Sequence, residues 1–154
     1  MKQRIIKLSL ILVLTFSCMF MSSCESEKEP EEVVTLYNNT WVMEHYMDAV
    51  QDYDMVLYEQ VYFDWGKRSI GPTEYRFRGF IVLTAEEAER LMKYYKWDET
   101  DAPDFEFDQL DTGFIGEGPW YSSPDFNKDN YKSAVDVKYT VFDGQKLVFD
   151  FNQM

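Results

Sequence analysis

The stretch VDVKYTVFDGQKLVFDF, residues 135–151, carries the strongest indication of fold in this chain. Apolar residues alternate with polar ones on both sides of Asp143-Gly144, which predicts two antiparallel strands joined by a tight connection. The predicted inward faces are Val135, Val137, Tyr139 and Val141 in the first strand, and Leu147, Phe149 and Phe151 in the second. The chain is therefore expected to end in a β-hairpin with one apolar face.

The length of the connecting loop fixes how these two strands pair. A two-residue turn would oppose apolar to polar side chains, whereas the three-residue loop 142–144 opposes Tyr139 to Leu147 and Val137 to Phe149. We therefore predict the three-residue loop. It requires a positive φ at its last residue, which is a glycine.

Strong indications continue upstream of the hairpin. Residues 75–83 predict a strand with apolar side chains on one face and Arg76 and Arg78 on the other. Thr84 to Glu87 form a capping-box pattern, in which the threonine accepts from the glutamate amide and the glutamate side chain reaches back. Apolar residues then recur at helical spacing, so we predict an amphipathic helix over 85–96.

Other segments are less decisive. Residues 41–47 alternate loosely and predict a first strand, while residues 55–65 are rich in β-formers although Glu59 interrupts their alternation. Residues 104–108 alternate Phe with acids and predict a further strand. Residues 113–130 are rich in turn-forming residues and predict a long connection, a kind of segment that often carries function.

These elements predict an α+β fold, with a mainly antiparallel sheet and one amphipathic helix. The alternative is a small lipocalin-like β-barrel, an analogy based on Trp41 in the first predicted strand and on the final hairpin. About 120 residues follow the N-terminal region, which is enough for one domain with a core of its own.

The N-terminus has the parts of a bacterial export signal. Lys2, Arg4 and Lys7 precede the apolar run 8–21, which as a helix would reach roughly 20 Å, short of the roughly 30 Å hydrocarbon core of a bilayer. Such an arrangement is typical of a cleaved secretory signal. The run ends in M-S-S-C, residues 21–24, which resembles the lipobox of bacterial lipoproteins.

The resemblance to lipoproteins implies cleavage before Cys24 and acylation of that cysteine, so the lipid bilayer is an expected partner. Residues 25–32 are acidic and contain no large apolar side chain, which predicts a disordered tether. Acids directly after the cysteine also resemble the surface-export signal of Bacteroidota lipoproteins. This implies an outer-membrane lipoprotein at the cell surface, with the periplasmic face as the alternative. We expect a signal peptide over 1–23, a lipidated cysteine with its tether over 24–35, and one globular domain over 36–154.

Charge and cysteine content narrow the functional classes. The chain has a formal net charge of −13 at pH 7, and loss of the three basic residues of the signal peptide takes it to −16. Such a surface repels phosphates, so nucleic acid is not an expected partner. The chain has two cysteines, Cys18 and Cys24. Only Cys24 follows the expected cleavage site, and lipid would occupy it, which leaves no thiol for a disulfide or a metal site.

Few residues indicate catalysis. His45 is the only histidine, and no G-x-S-x-G, H-E-x-x-H or Walker motif accompanies it. A carboxylate-dependent hydrolase is the enzymatic alternative and would need Asp104, Glu106 or Asp111 in a cleft. The acids of 104–108 are better explained as the solvated face of a strand.

One polar cluster resembles an EF-hand-type calcium loop. Asp125, Asn127 and Asp129 match its first three ligand positions, and Ser133 and Asp136 fall at its ninth and twelfth. The expected helices are missing on either side, and an ordinary Asx-rich turn is the competing interpretation. We therefore expect no cofactor, and calcium is the single cofactor hypothesis that the sequence raises.

Trp120 and Tyr121 lie among turn-forming residues and are candidates for a platform that binds a sugar ring or a peptide. With the anchor, they favour a non-enzymatic surface or periplasmic binding or accessory protein with a glycan or protein ligand. The alternatives are the small hydrolase and an immunity- or inhibitor-type lipoprotein.

Overall fold

The computed structural model of this chain describes residues 30–65, 74–132 and 134–154. Its strands are β1 (Glu31–Tyr37), β2 (Tyr53–Asp64), β3 (Tyr75–Leu83), β4 (Asp98–Thr100), β5 (Trp120–Ser122), β6 (Val135–Phe142) and β7 (Lys146–Gln153). Its helices are α1 (Trp41–Tyr46), α2 (Ala85–Tyr94) and α3 (Pro124–Asn130), with a 3-10 turn at Thr112–Phe114. The expected signal peptide and Cys24 lie outside the described residues.

The seven strands form one antiparallel sheet in the order β1-β2-β3-β7-β6-β5-β4. The sheet is open, with β1 and β4 at its edges, so the predicted α+β class is confirmed and the barrel alternative is wrong. The expectation of one helix needs correction, because α1 and α3 accompany α2. Within the described residues, no helix is both long and apolar enough to cross a bilayer.

Both faces of the sheet are covered, each by a different kind of structure. The helix-side core joins the three helices to one face, with Val42, Leu91 and Phe126 packed against sheet residues such as Phe77 and Phe149. The loop-side core lies on the opposite face, beneath the irregular residues 101–119, here named the cover segment. Its members are Phe80, Leu110, Ile115, Trp120, Val141 and Val148, with Leu57, Val82, Phe105, Phe107 and Tyr139 packed against them.

The sheet begins earlier than the sequence indicates. Strand β1 starts at Glu31 and pairs along its whole length with β2, so residues 31–35 of the expected tether are part of the sheet. The acids at its start point to solvent on an edge strand, where charge discourages pairing with another chain. Their acidity is what made the segment resemble a tether.

Residues 41–46 form helix α1, and the predicted first strand is wrong there. The buried or half-buried residues are Val42, Met43, Tyr46 and Met47. They lie one, three or four residues apart, which places them on one face of a helix. A loose alternation over seven residues resembles this spacing, which explains the error.

Helix α2 confirms the predicted start at Thr84, whose hydroxyl accepts a hydrogen bond from the Glu87 amide at 3.3 Å. The Glu87 side chain does not reach back. It accepts instead from the Gln51 amide at 2.8 Å and pairs with Arg90. Glu87 is almost fully buried, and it links the helix to the loop between α1 and β2.

The hairpin of β6 and β7 forms, but its predicted register is wrong. Phe142 faces Leu147 and Thr140 faces Phe149, so four residues, 143–146, separate the last paired residues. Asp143 holds this loop together, because its carboxylate accepts hydrogen bonds from the backbone amides two and three residues further along the chain.

A β-bulge at Lys138 explains why the apolar pattern gave the wrong register. The pairing shifts between Val137 and Tyr139, and the extra residue reverses the faces along β6. Val135 and Val137 therefore pack on the helix-side core, whereas Tyr139 and Val141 belong to the loop-side core. The four residues that we expected on one face are divided between two.

Gly144 and Gly79 have conformations or contacts that a side chain would disturb. Gly144 has φ = 98°, which confirms the predicted positive φ, and nothing lies within 4 Å of the position its Cβ would take. Gly79 pairs with Tyr58 across β2 and β3, and a Cβ on it would lie 2.6 Å from that of Tyr58. Gly79 therefore leaves room for the Tyr58 side chain.

Candidate functional site

The described structure has a cleft on the helix side of the sheet. Its volume is about 500 Å³, within the range usual for small-molecule sites. Nine residues line it: Tyr37, Asn39, Trp41, Tyr46, Tyr58, Gln60, Tyr75, Phe77 and Gln153. We refer to it below as the aromatic cleft.

The sheet provides the floor of the aromatic cleft through the two-residue repeat of its strands. Tyr58 and Gln60 lie two apart in β2, and Tyr75 and Phe77 lie two apart in β3, so each pair shares a face. Gln60 pairs directly with Phe77 across the two strands. At the edge, Tyr37 of β1 is paired with Tyr58, and their rings stack with centroids 5.4 Å apart.

Helix α1 provides the opposite wall. The Trp41 ring is 5.7 Å from that of Phe77 and 5.6 Å from that of Tyr46, measured between centroids. His45 stacks on the same indole at 4.3 Å, and its Nδ1 lies 2.8 Å from the Trp41 carbonyl oxygen. Trp41 is nevertheless 40% exposed.

Asn39 joins this wall to the floor. Its Oδ1 accepts one hydrogen bond from the Tyr58 hydroxyl at 3.0 Å and a second from the Trp41 amide at 3.1 Å. The first bond crosses from the helix start to β2, and the second fixes the beginning of α1. Through these two bonds, Asn39 links the start of α1 to the floor of the cleft.

Most polar groups in the cleft have no hydrogen-bond partner among the described residues. Tyr58 and the Asn39 oxygen are bonded to each other, but no hydrogen bond joins the remaining polar side-chain groups to any described residue. These groups are the hydroxyls of Tyr37, Tyr46 and Tyr75, the amides of Gln60 and Gln153, and the Asn39 amide nitrogen. The hydroxyls and the glutamine amides can both donate to and accept from a bound molecule, whereas the Asn39 nitrogen can only donate.

The described lining of the cleft is uncharged, although 28% of the residues of the chain are charged. None of its nine lining residues is an acid, a lysine, an arginine or a histidine. Burial raises the pKa of Tyr58 to about 12, with a further contribution from nearby Tyr37. Burial, together with Tyr75, also raises the pKa of Tyr46. These phenols therefore stay neutral over the physiological range.

The opposite face of the sheet carries a network of ion pairs that fixes the cover segment. Glu59 is completely buried and accepts hydrogen bonds from the backbone amides of Asp108 at 2.9 Å, Gln109, and Leu110 at 2.7 Å. Its other partner is Arg78 Nε at 2.7 Å. Burial alone would raise the pKa of Glu59, but the three amides and the guanidinium hold it below its usual value.

A second part of this network surrounds Asp150, which is also fully buried. Arg76 Nε donates to one of its oxygens at 2.8 Å, and another guanidinium nitrogen of Arg76 donates to Glu106 at the same distance. Lys138 lies 3.7 Å from Glu106 and 3.9 Å from Asp150. The side-chain bond from Arg76, followed by the attraction of Lys138, lowers the pKa of Glu106.

Among the acids proposed for hydrolysis, Glu106 takes part in these ion pairs. Residues 104–108 are irregular instead of forming the predicted strand, yet Phe105 and Phe107 alternate with the acids as expected and pack on the loop-side core. Glu106 pairs with Arg76. Asp111 accepts from the Gly113 amide at 2.8 Å. None of these acids lines the aromatic cleft.

The predicted aromatic platform is wrong for Trp120. That side chain is only 3% exposed and packs against Phe105, with ring centroids 5.4 Å apart. Tyr121 is half-buried in the short strand β5, paired with Phe142. Flanking turn residues suggested exposure, but the cover segment closes over the indole.

The segment that resembles a calcium loop forms helix α3. The Ser123 hydroxyl caps it by accepting from the Phe126 amide at 3.2 Å. On a helix, Asp125 and Asn127 are about 200° apart in the helical projection, so they cannot bind one ion together. Asp129 instead accepts from the Tyr95 hydroxyl at 3.3 Å.

The last two proposed calcium ligands add no support. Asp136 is an exposed residue of β6, and Ser133 lies outside the described residues. In the part of the chain that the structure describes, no group of three or more histidines, cysteines or acids is arranged to hold a metal. Calcium binding stays an untested hypothesis that this helix does not favour.

Comparison with known proteins gives no further guidance, because no family model, curated protein or solved structure matches this chain. The aromatic cleft was not predicted from the sequence. Its residues come from four separate regions, and only the two-residue spacing of Tyr58-Gln60 and Tyr75-Phe77 could have indicated a shared face. The site is defined by its geometry alone.

Proposed function

We propose that this protein is a non-enzymatic binding protein whose ligand occupies the aromatic cleft. The observation that carries the proposal is the lining: rings and unpaired uncharged polar groups surround about 500 Å³ in a chain of net charge −13. Tyrosine and tryptophan offer apolar area together with hydrogen-bonding groups, which suits recognition of a glycan or of a protein segment.

The engagement of the carboxylates supports binding over hydrolysis. Glu59, Glu106, Asp108 and Asp150 all bind arginines or backbone amides on the other face of the sheet. No acid lies among the cleft residues to act as a general acid or nucleophile. A binding protein needs neither a general acid nor a nucleophile.

We further propose that the domain is held on the outer membrane, with its binding site at the cell surface, by lipid on Cys24. The support is the lipobox resemblance, the preceding signal sequence and the acidic residues 25–29. In cells given radiolabelled palmitate, the wild-type protein should carry the label and Cys24→Ala should not. Continued labelling of Cys24→Ala would mean that another residue is acylated. Resistance to protease added to intact cells, with digestion in lysates, would place the domain at the periplasmic face.

The binding proposal is tested by screening the full chain against arrays of glycans and peptides. Trp41→Ala should weaken binding of any ligand found by about tenfold or more, since aromatic residues at the centre of a site carry much of the affinity. Tyr94→Ala is the matched control, because Tyr94 is 71% exposed and lies outside the cleft. Equal affinities for the wild type and Trp41→Ala would place the ligand elsewhere on the protein.

A further inference from the structure

We infer that the ligand of the aromatic cleft is an uncharged saccharide, and that the cleft discriminates against acidic sugars. This inference rests on the proposed function and adds the chemical class of the ligand. Three properties of the cleft support it: accessible aromatic rings, unpaired groups that donate and accept hydrogen bonds, and the absence of charge from its lining.

The rings match the apolar faces of a sugar. A pyranose presents a patch of C–H groups on one or both faces, and such a patch packs on the flat face of an aromatic side chain. Trp41 is the exposed ring of the cleft, and Tyr37, Tyr46 and Tyr75 are half-buried around it. These rings are distributed over a helix and two strands, so a chain of more than one sugar ring can contact several of them.

The unpaired polar groups match the hydroxyls of a sugar. Neighbouring sugar hydroxyls each donate and accept, and planar amides such as those of Gln60 and Gln153 can do both at once. The three half-buried phenols add further groups of the same kind, and the Asn39 nitrogen adds a donor. A fatty acyl chain or another wholly apolar ligand would separate them from water without replacing their hydrogen bonds, and this disfavours it.

The charges of the protein disfavour acidic sugars. A uronate or sialate would bring a carboxylate into a lining whose described residues include no cation. Arg76 and Arg78 are the nearest cations along β3, on either side of Phe77. Both lie on the other face, where they are bound to Asp150, Glu106, Glu59 and Asp108. The net charge of −13 adds long-range repulsion.

The experiment follows Trp41 directly in the full chain. The protein is labelled with 5-fluorotryptophan, so its four tryptophans give four ¹⁹F signals, and the signal missing from Trp41→Phe belongs to Trp41. A detergent without a sugar headgroup is required. The neutral probes are oligosaccharides of glucan, mannan, xylan and galactan. The charge comparison uses hexagalacturonate and its fully methyl-esterified form, which share one backbone.

The Trp41 signal should shift with at least one neutral oligosaccharide, and the ester should bind at least tenfold more tightly than the acid. Gln60→Leu and Gln153→Leu replace the amide with an apolar side chain, and each should weaken saccharide binding at least fivefold without lowering the melting temperature. Gln145→Leu, at an exposed glutamine of the β6–β7 loop, is the control and should bind as the wild type does.

The outcomes separate the two proposals. Equal affinity for the acid and its ester, or unchanged saccharide affinity in both leucine variants, overturns the saccharide inference. A Trp41 signal that responds to peptides or fatty acids but to no saccharide also overturns it, while the proposed binding function stands. A Trp41 signal that responds to none of these probes contradicts both.

Discussion

Glu59 is the residue on which the attachment of the cover segment most depends. Its carboxylate receives three consecutive backbone amides and one guanidinium, with no exposure to solvent. In the sequence, Glu59 only interrupts the alternation of β2, because the three amides that it binds lie 49 to 51 residues further along the chain. A buried acid of this kind becomes intelligible only once its partners are known.

Replacing Glu59 with leucine should lower the free energy of unfolding by about 3–5 kcal/mol, the cost typical of removing one partner of a buried ion pair. The change would leave three amides and Arg78 without their carboxylate. Glu99→Leu is the control, since Glu99 is exposed on the edge strand β4, and it should change stability by no more than about 0.5 kcal/mol. Urea denaturation of the two variants and the wild type measures both changes in stability. A loss below 1 kcal/mol in Glu59→Leu would contradict this role.

Gly144 offers a test of backbone conformation free of steric contacts. Its φ is 98°, and the space around its missing Cβ is empty. Gly144→Val should therefore destabilise the protein by roughly 1–3 kcal/mol through backbone strain alone. Gly144→Asn should cost less, because asparagine adopts positive φ more readily. Equal denaturation midpoints for the two variants would show that strain at this residue does not limit stability.

Among elements, α3 shows how one composition can support two structures. Proline, serine and Asx residues in 123–130 indicated a turn, and each is also favoured at a helix start. Ser123 caps the helix and Pro124 occupies its first turn, where the missing N–H costs nothing. Phe126 and Asn130, four residues apart, are buried and decide the outcome through packing that the sequence does not display.

This helix predicts that calcium leaves the protein unchanged. Because Asp125 and Asn127 diverge on α3, millimolar calcium should not shift the melting temperature of the wild type, nor that of Asp125→Ala relative to its own value without calcium. If the ion did bind, a concentration one hundred times its dissociation constant would add about 2.7 kcal/mol of stability. A calcium-dependent rise that Asp125→Ala abolishes would restore the loop hypothesis.

The elements also show where prediction from the sequence succeeds. The helix after Thr84 and the two faces of β3 were predicted because their signals are local and repeat over nine residues or more. The register of β6 and β7 was not predicted correctly, because one extra residue at Lys138 reverses the faces without any change in composition. Helix α1 was missed because it is only six residues long, too short to separate the helical period from a strand period.

For the whole molecule, the antiparallel α+β class could be predicted, whereas the aromatic cleft could not. The class follows from periodicities within single elements. The cleft requires β1, β2, β3, β7 and α1 to meet, and their arrangement depends on strand order and on contacts between distant residues. The sequence placed the candidate ligand platform at Trp120, which is buried, whereas the aromatic cleft contains Trp41.

Stability at low pH should depend on the same carboxylates. The pKa of Glu59 is lowered in the folded state, so its contribution is complete above the unfolded value of 4.5 and is lost as the pH falls through the folded value. The pKa of Glu87 is lowered as well, where Arg90 and the Gln51 amide outweigh burial. The difference in unfolding free energy between the wild type and Glu59→Leu should thus be constant from pH 7 to about pH 5 and shrink below pH 4.5. A difference that stays constant down to pH 2 would contradict this linkage.

The alternation along β3 has a consequence for insertions and deletions. Phe77 belongs to the floor of the cleft, and the arginines on either side of it hold the ion pairs on the reverse face. Loss or gain of one residue within this central strand would exchange the two sets, bringing a guanidinium into the neutral cleft and an aromatic ring among buried acids. Strand β6, by contrast, already accommodates one additional residue at Lys138. Insertions and deletions of one residue should therefore be tolerated near the hairpin but not within β3, even at positions where a substitution is tolerated.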